Sequence, residues 1–82
     1  MNKRIAILGA SQGIGAALVD YFAQIADTEV LALSRNLQKM EQRFLQNNVK
    51  CYGLDISKDV QNQLAAINLE APIDILINNA GL

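Results

Sequence analysis

An α/β fold, with helices packed on a parallel sheet, is what this sequence predicts, and three observations carry the prediction. Short apolar runs that read as buried strands alternate with stretches whose apolar residues recur every three or four positions. The links between them are short, which implies right-handed crossovers between parallel strands. The apolar fraction is 51% against 18% charged, a balance that suits strands buried on both faces. The predicted element order is β-α-β-α-β-α-β, with the strands arranged 3-2-1-4 across the sheet.

Ile5-Ala6-Ile7-Leu8, closed by Gly9, is the first strand. From Gly13 the period changes. Ile14, Leu18, Phe22 and Ile25 recur at spacings of four, four and three, one face of a helix. Val30-Leu31-Ala32-Leu33 is a second buried strand. Asn36 is the predicted cap of a second helix, in which Leu37, Met40 and Phe44 share a face and which Asn47-Asn48 ends.

Val49 to Leu54 reads as a weaker strand, loosened by Gly53. Ser57 is the expected N-cap of a third helix, with Asp59 in its first turn opposing the helix dipole and Val60, Leu64 and Ile67 forming its stripe. Pro72 separates that helix from a last strand, Ile73 to Ile77. The first two helices should share one face of the sheet and the third should lie on the other, because the chain reverses direction across the sheet at the last crossover.

The bulk numbers narrow the function classes. Eighty-two residues make at most one small domain, and a chain of that size buries only about 60–65% of its unfolded surface. The net charge is −1 with no block of like charges, which argues against nucleic acid or an anionic membrane as partner. The single cysteine, Cys51, excludes an internal disulfide and fits a reducing cytoplasm. With no histidine there is neither a His-ligated metal site nor a His-dependent triad. Lys3-Arg4 before the first apolar run faintly resembles a signal peptide, but Ser11-Gln12 interrupt the run and a mature N-terminus is expected. No apolar run approaches the roughly 18–20 residues that span a bilayer.

Chemistry concentrates in the turn Gly9-Ala10-Ser11-Gln12-Gly13-Ile14-Gly15. Gly9 ends a strand, and Gly13 and Gly15 open a helix. Such a junction aims free backbone N–H groups and the positive end of the helix dipole at one point, the geometry that holds phosphate. Glycine is needed where a Cβ would block a dinucleotide pyrophosphate or the close packing of helix on strand. Ser11 adds a hydroxyl donor. The competing reading is a turn that serves only tight strand-to-helix packing.

About 20 residues past such a turn, an acid holds the ribose 2′-hydroxyl of NAD, whereas a nearby Arg accommodates the 2′-phosphate of NADP. Here the stretch is Ser34-Arg35-Asn36, with no acid and with a planar donor fork suited to phosphate. NADP(H) is therefore expected over NAD(H). Gln12, counted with the site for its place in the turn, is neutral where an Arg or Lys would supply a second cation. The competing reading of Arg35 is a solvated arginine at the start of a helix.

Leu8-Gly9-Ala10-Ser11-Gln12-Gly13-Ile14-Gly15, then Leu54-Asp55-Ile56-Ser57, then Asn78-Asn79-Ala80-Gly81 together resemble the short-chain dehydrogenase/reductase family, in its ordinary, non-extended branch. Leu8 stands where the family usually has Thr. The resemblance implies a Rossmann-like sheet and covers residues 1–82 as a partial NAD(P)-binding domain, the truncated half of a doubly wound fold. It implies phosphate contacts for Gly9, Ser11, Gly13, Ile14 and Gly15, and an adenosine ribose surrounded by Ser34, Arg35 and Asn36. Asp55 would accept from the adenine amino group with Ile56 beside the ring, and Asn79, Ala80 and Gly81 would line the cofactor's ribose. Turn formation for Asp55, and a clamp between strands for Asn78-Asn79, are the structural alternatives.

The family reaction is hydride transfer between a nicotinamide and a carbonyl or alcohol, with a tyrosine activated by a lysine four residues later. Tyr21 is followed at that distance by Ile25 and Tyr52 by Ile56, so no such pair is present, and Tyr21 beside Phe22 reads as packing. No catalytic residue is assigned, and the chain alone is expected to be inactive. An incompletely covered sheet face and a bare apolar edge along Ile73–Ile77 predict that the isolated chain is poorly soluble, partly folded or self-associating. Two further classes remain open: a non-enzymatic module that senses or sequesters NADP(H), and a non-functional remnant of a disrupted gene.

Overall fold

The two central strands of the sheet are apolar over Ile5–Leu8 and Val30–Leu33, where the side chains on both faces are buried. The computed structural model describes residues 3–55, 57–66 and 73–79. Along the chain run β1 (Lys3–Leu8), α1 (Gly13–Ala23), β2 (Thr28–Ser34), α2 (Leu37–Arg43), β3 (Val49–Gly53), α3 (Val60–Ala66) and β4 (Ile75–Asn78). The four strands form one parallel sheet in the order β3-β2-β1-β4, as the sequence predicts. Register pairs Ile5 with Val30 and Ile75, and Leu8 with Leu33 and Asn78.

Alternation along the strands divides the core in two. Ile5, Ile7, Val30, Ala32 and Val49 face α1 and α2, where they meet Ala16, Val19, Met40 and Phe44. Ala6, Leu8, Leu31, Leu33 and Leu54 form the opposite layer, with Tyr52 and Ile73 against it. The first two helices thus share a face, as expected. The stripe predicted for the third helix falls on Val60, Leu64 and Ile67, whose side chains lie outside the described residues, as does Pro72.

The helices depart from the sequence reading in three places. The buried residues of α1 are Gly15, Ala16 and Val19, with Leu18, Phe22 and Ala23 partly packed. Ile14 is 70% exposed and Ile25 lies past the end of the helix, so the predicted stripe is rotated by about one position. The physical reason is proximity: α1 lies so close to the sheet that small residues line the contact. Tyr21 stacks edge-on against Phe22, with ring centroids 5.1 Å apart, yet is largely exposed.

The second helix ends at Arg43, ahead of Asn47-Asn48. Phe44 leaves the helix in an extended conformation and buries its ring, stacked under the Arg43 guanidinium. Asn48 then ties two connections together, its Nδ2 donating to the carbonyls of Ala23 (2.8 Å) and Thr28 (3.0 Å). In the third helix the N-cap is Asp59, whose Oδ1 accepts from Asn62 N at 3.3 Å. Ser57 is drawn away because its N–H and hydroxyl both donate to Asp55 Oδ1, at 2.9 and 2.6 Å. An aspartate-led turn competes with capping for the same serine.

The last strand starts later than Ile73, although Asp74 N donates to Arg4 O and Arg4 N to Asp74 Oδ2. Arg4 also grips Glu29 on the neighbouring strand at 2.8 Å, and Lys50 reaches the same carboxylate at 3.4 Å. Burial pushes the Glu29 carboxyl up, but the Arg4 hydrogen bond and the charges of Arg4 and Lys50 outweigh it, so the net shift is downward. This charged ladder closes one end of the sheet. The glycine turn lies at the other. Among the described residues no helix is long and apolar enough to cross a membrane.

Candidate dinucleotide site

Parallel strands deliver all their C-terminal ends to one side, and the order β3-β2-β1-β4 makes the connections part company between β1 and β4. That is the position at which an open α/β sheet leaves a crevice. Gly9 and Asn79 meet there. Asn79 N donates to Leu8 O at 3.2 Å and its Nδ2 to Gly9 O at 3.4 Å, so the tip of β4 is laced to the exit of β1. Leu33 O accepts from both Gly9 N (2.8 Å) and Ala10 N (3.2 Å), which fixes the start of the turn to β2.

The three glycines of the turn do different work. Gly9 and Gly13 have φ of +74° and +62°, in the left-handed region that residues with a Cβ rarely adopt. A Cβ on Gly13 would meet nothing within 4 Å, so the space in front of it is open. At Gly15 a Cβ would press into the Gly9 carbonyl oxygen and lie 2.8 Å from Asn79 Nδ2. Tight packing is therefore the role of Gly15, while Gly9 and Gly13 shape an open loop.

The N-terminus of α1 suits an anion. Its first-turn N–H groups have no upstream carbonyl to accept them. Gln12, the N-cap, makes no side-chain capping bond, and no acid stands in the first turn. These donors and the positive end of the helix dipole face the open loop of Gly13, with Ser11 half-exposed beside them. The residues present thus fit a pyrophosphate, and Gly13, Ile14 and Gly15 are the ones whose amides would hold it. Exposure of Ile14 is explained by its place at this mouth.

A polar cleft of about 530 Å3 continues from the turn, lined by Ser11, Gln12, Ser34, Arg35, Asn36 and Lys39. Ser34 Oγ accepts from Asn36 N at 3.2 Å, and Asn36 Oδ1 accepts from Lys39 N at 3.2 Å, so both residues build the wall and Asn36 caps α2 as predicted. Arg35 is exposed and makes no hydrogen bond or ion pair among the described residues. Lys39 is the cleft residue that sequence reasoning missed. Its Nζ donates to Gln12 Oε1 at 2.8 Å, which places a cation where neutral Gln12 alone offered none. The available signal was its spacing of four from Arg35 at the start of a helix.

Asp55 stands at the end of β3, with both Ser57 bonds on Oδ1. Those bonds, ahead of the weaker pull of Arg35 and Lys58, hold its carboxyl below the usual aspartate range. Its backbone is clamped by Gln63, whose Oε1 accepts from Asp55 N at 2.7 Å and whose Nε2 donates to Asp55 O at 2.8 Å. The turn-forming role of Asp55 is thereby realised. Gln63 is a second residue missed, since nothing in its helical context marks it. Ile56, Ala80 and Gly81 lie outside the described residues. Burial, reinforced by Glu41, pushes the Cys51 thiol up, which makes it a poor nucleophile. No group of side chains able to hold a metal ion occurs among the described residues.

A strand–glycine turn–helix junction at the switch point of a parallel sheet defines a nucleotide-binding α/β unit. Comparison with known proteins refines that class. The family model for short chain dehydrogenases matches residues 3–82, and the chain belongs to that family. It is 37% identical to an uncharacterised oxidoreductase of Staphylococcus saprophyticus, with 99% of this chain and 35% of that protein covered. Among solved structures it is similar to 4-hydroxyisoleucine dehydrogenase complexed with NADH (TM-score 0.82, 34% identity, 99% of this chain and 35% of that one). It is also similar to the closed form of serine dehydrogenase complexed with NADP+ (TM-score 0.80, 27% identity, 96% and 34%). The chain corresponds to the N-terminal, cofactor-binding portion of these proteins and spans about a third of their length.

The glycines give a paired prediction. Gly15→Ala forces α1 away from β1, so the melting temperature should fall sharply and NADPH titration should show no saturable binding. Gly13→Ala meets no neighbour and should lose only about 1–2 kcal/mol for the left-handed backbone. A Gly15→Ala protein with unchanged melting and cofactor affinity would contradict the packing described.

Proposed function

We propose that the chain is the NADP(H)-binding part of a cytoplasmic oxidoreductase, with residues 1–82 forming the N-terminal portion of one NAD(P)-binding domain. The observation that carries the cofactor choice is Arg35. It stands at the end of β2 on a cleft with no acidic lining residue, its guanidinium making no hydrogen bond among the described residues. A planar fork of donors there suits the ribose 2′-phosphate, and no carboxylate takes the place that would hold a 2′-hydroxyl. A reducing location suits the free Cys51.

Within this proposal a bound nicotinamide would give a hydride to a carbonyl substrate when reduced, or take one from an alcohol when oxidised. The chain's own residues bind and orient. The first-turn amides of α1 hold the pyrophosphate, Ser11 adds a hydroxyl donor, and Ser34 and Asn36 keep the cleft wall in shape. In this reading Asp55 and Ile56 would flank the adenine, and Asn79, Ala80 and Gly81 would line the second ribose. Gln12 faces the cleft through its side chain. Proton transfer is not assigned to these residues, because neither Tyr21 nor Tyr52 has a lysine four positions on. The 82-residue segment therefore binds cofactor without turnover.

The test of the cofactor choice is fluorescence titration of the full chain with NADPH and NADH. Wild type should favour NADPH, and Arg35→Ala should weaken NADPH by about 10–100-fold while shifting NADH by less than about threefold. Equal affinities for the two cofactors in wild type would overturn the choice. Absence of saturable binding of either cofactor would remove both the cofactor-binding and the sensing readings and leave a non-functional remnant.

Self-association of the 82-residue segment is a companion proposal, favoured by the exposure of Ile75 (40%) and Leu76 (52%) on β4, whose outer edge has no strand partner among the described residues. Light scattering across micromolar concentrations should show growing assemblies. A strictly monomeric segment would contradict it.

A further inference from the structure

We propose that Lys39 is a second cationic contact for the phosphate on the adenosine ribose, moored over the cleft by Gln12, so that an Arg35–Lys39 pair selects NADP(H). This rests on the NADP(H) reading above and names the residue that completes it.

Three observations place Lys39 in that role. It lines the same cleft as Ser34 and Arg35, reached from α2 rather than from the strand end, so the two cations approach the cleft from different backbone positions. Its Nζ is fixed by donation to Gln12 Oε1 at 2.8 Å, across 27 residues of sequence. Its own backbone N–H is bonded to Asn36 Oδ1. The base of the side chain and its tip are therefore both held, which reduces the rotamer freedom that an exposed lysine loses on binding.

The donor arithmetic leaves room for an anion. An ammonium has three N–H donors, and Gln12 uses one of them. The residues lining the cleft include no acid, and neither Lys39 nor Arg35 forms an ion pair among the described residues. Both cations line the same cleft, and the carboxylate that feels the charge of Arg35, Asp55, lies beyond ion-pair distance. A dianionic phosphate in the cleft would be attracted by both cations, whereas a neutral ribose hydroxyl would not. Gln12 contributes as a neutral mooring that leaves the charge of Lys39 intact. A carboxylate at position 12 would have cancelled it.

The structural alternative is that the Gln12–Lys39 bond merely ties the turn to α2. Lys39→Gln and Lys39→Arg separate the two roles, because both side chains can still hydrogen-bond Gln12 but only arginine keeps the charge. The experiment is titration of the full chain and its variants with NADPH, NADH, and the half-cofactor probes 2′,5′-ADP and 5′-ADP. Lys39→Gln should weaken NADPH and 2′,5′-ADP by about 5–10-fold and leave NADH and 5′-ADP within about twofold. Lys39→Arg should restore the preference, and the salt dependence of 2′,5′-ADP binding should flatten in Lys39→Gln. An unchanged NADPH-to-NADH ratio in Lys39→Gln, with the ratio abolished in Arg35→Ala, would overturn the role of Lys39 and leave the NADP(H) reading standing. Absence of any NADPH preference in wild type would remove both.

Discussion

The contact on which the rest of the molecule depends is the approach of α1 to the carbonyl of Gly9. A hydrogen atom in place of a side chain at Gly15 lets the helix start directly over the end of β1, with Asn79 completing the contact from β4. If that approach were opened by the width of a methyl group, three things would move together. The first-turn amides would no longer converge on the open loop, β4 would lose its tie to β1, and the small residues Ala16 and Val19 would leave the sheet. The geometry of the open loop and the packing of the core are thus one constraint.

From that junction the site spreads outward by hydrogen bonds that cross between elements. Leu33 O holds the turn to β2, Gln12 reaches Lys39 on α2, and Gln63 on α3 clamps Asp55 at the end of β3. Each is individually modest, of order 0.5–1.5 kcal/mol net. Their value lies in position, since they link the ends of β1, β2 and β3 to the helices around the crevice. The opposite end of the sheet is held differently, by the Arg4–Glu29–Lys50 ladder with Asp74. Apolar layers join the two ends.

Most of the fold was legible because burial on both faces writes itself as unbroken apolar runs, as in Ile5–Leu8 and Val30–Leu33. The helical stripe of α1 was misread for a physical reason: periodicity weights large side chains, whereas the closest helix–sheet contact is made by Gly15, Ala16 and Val19. Asp59 displaced Ser57 as the cap because Asp55 competes for the serine, a choice that spacing alone does not decide. In the candidate site, the glycine turn and the place of Arg35 beside the cleft were legible as local signals. Lys39 and Gln63 were not, since their roles come from contacts across 27 and 8 residues that only the folded chain creates.

The central claim is that the Gly9–Gly15 junction presents its amides to a dinucleotide. Amide chemical-shift mapping of the isotope-labelled full chain during NADPH titration tests it most directly. The largest shifts are expected at residues 11–15, saturating together with those of Arg35 and Lys39. Saturable binding with the amides of residues 11–15 unmoved, and the largest shifts clustered elsewhere, would contradict it.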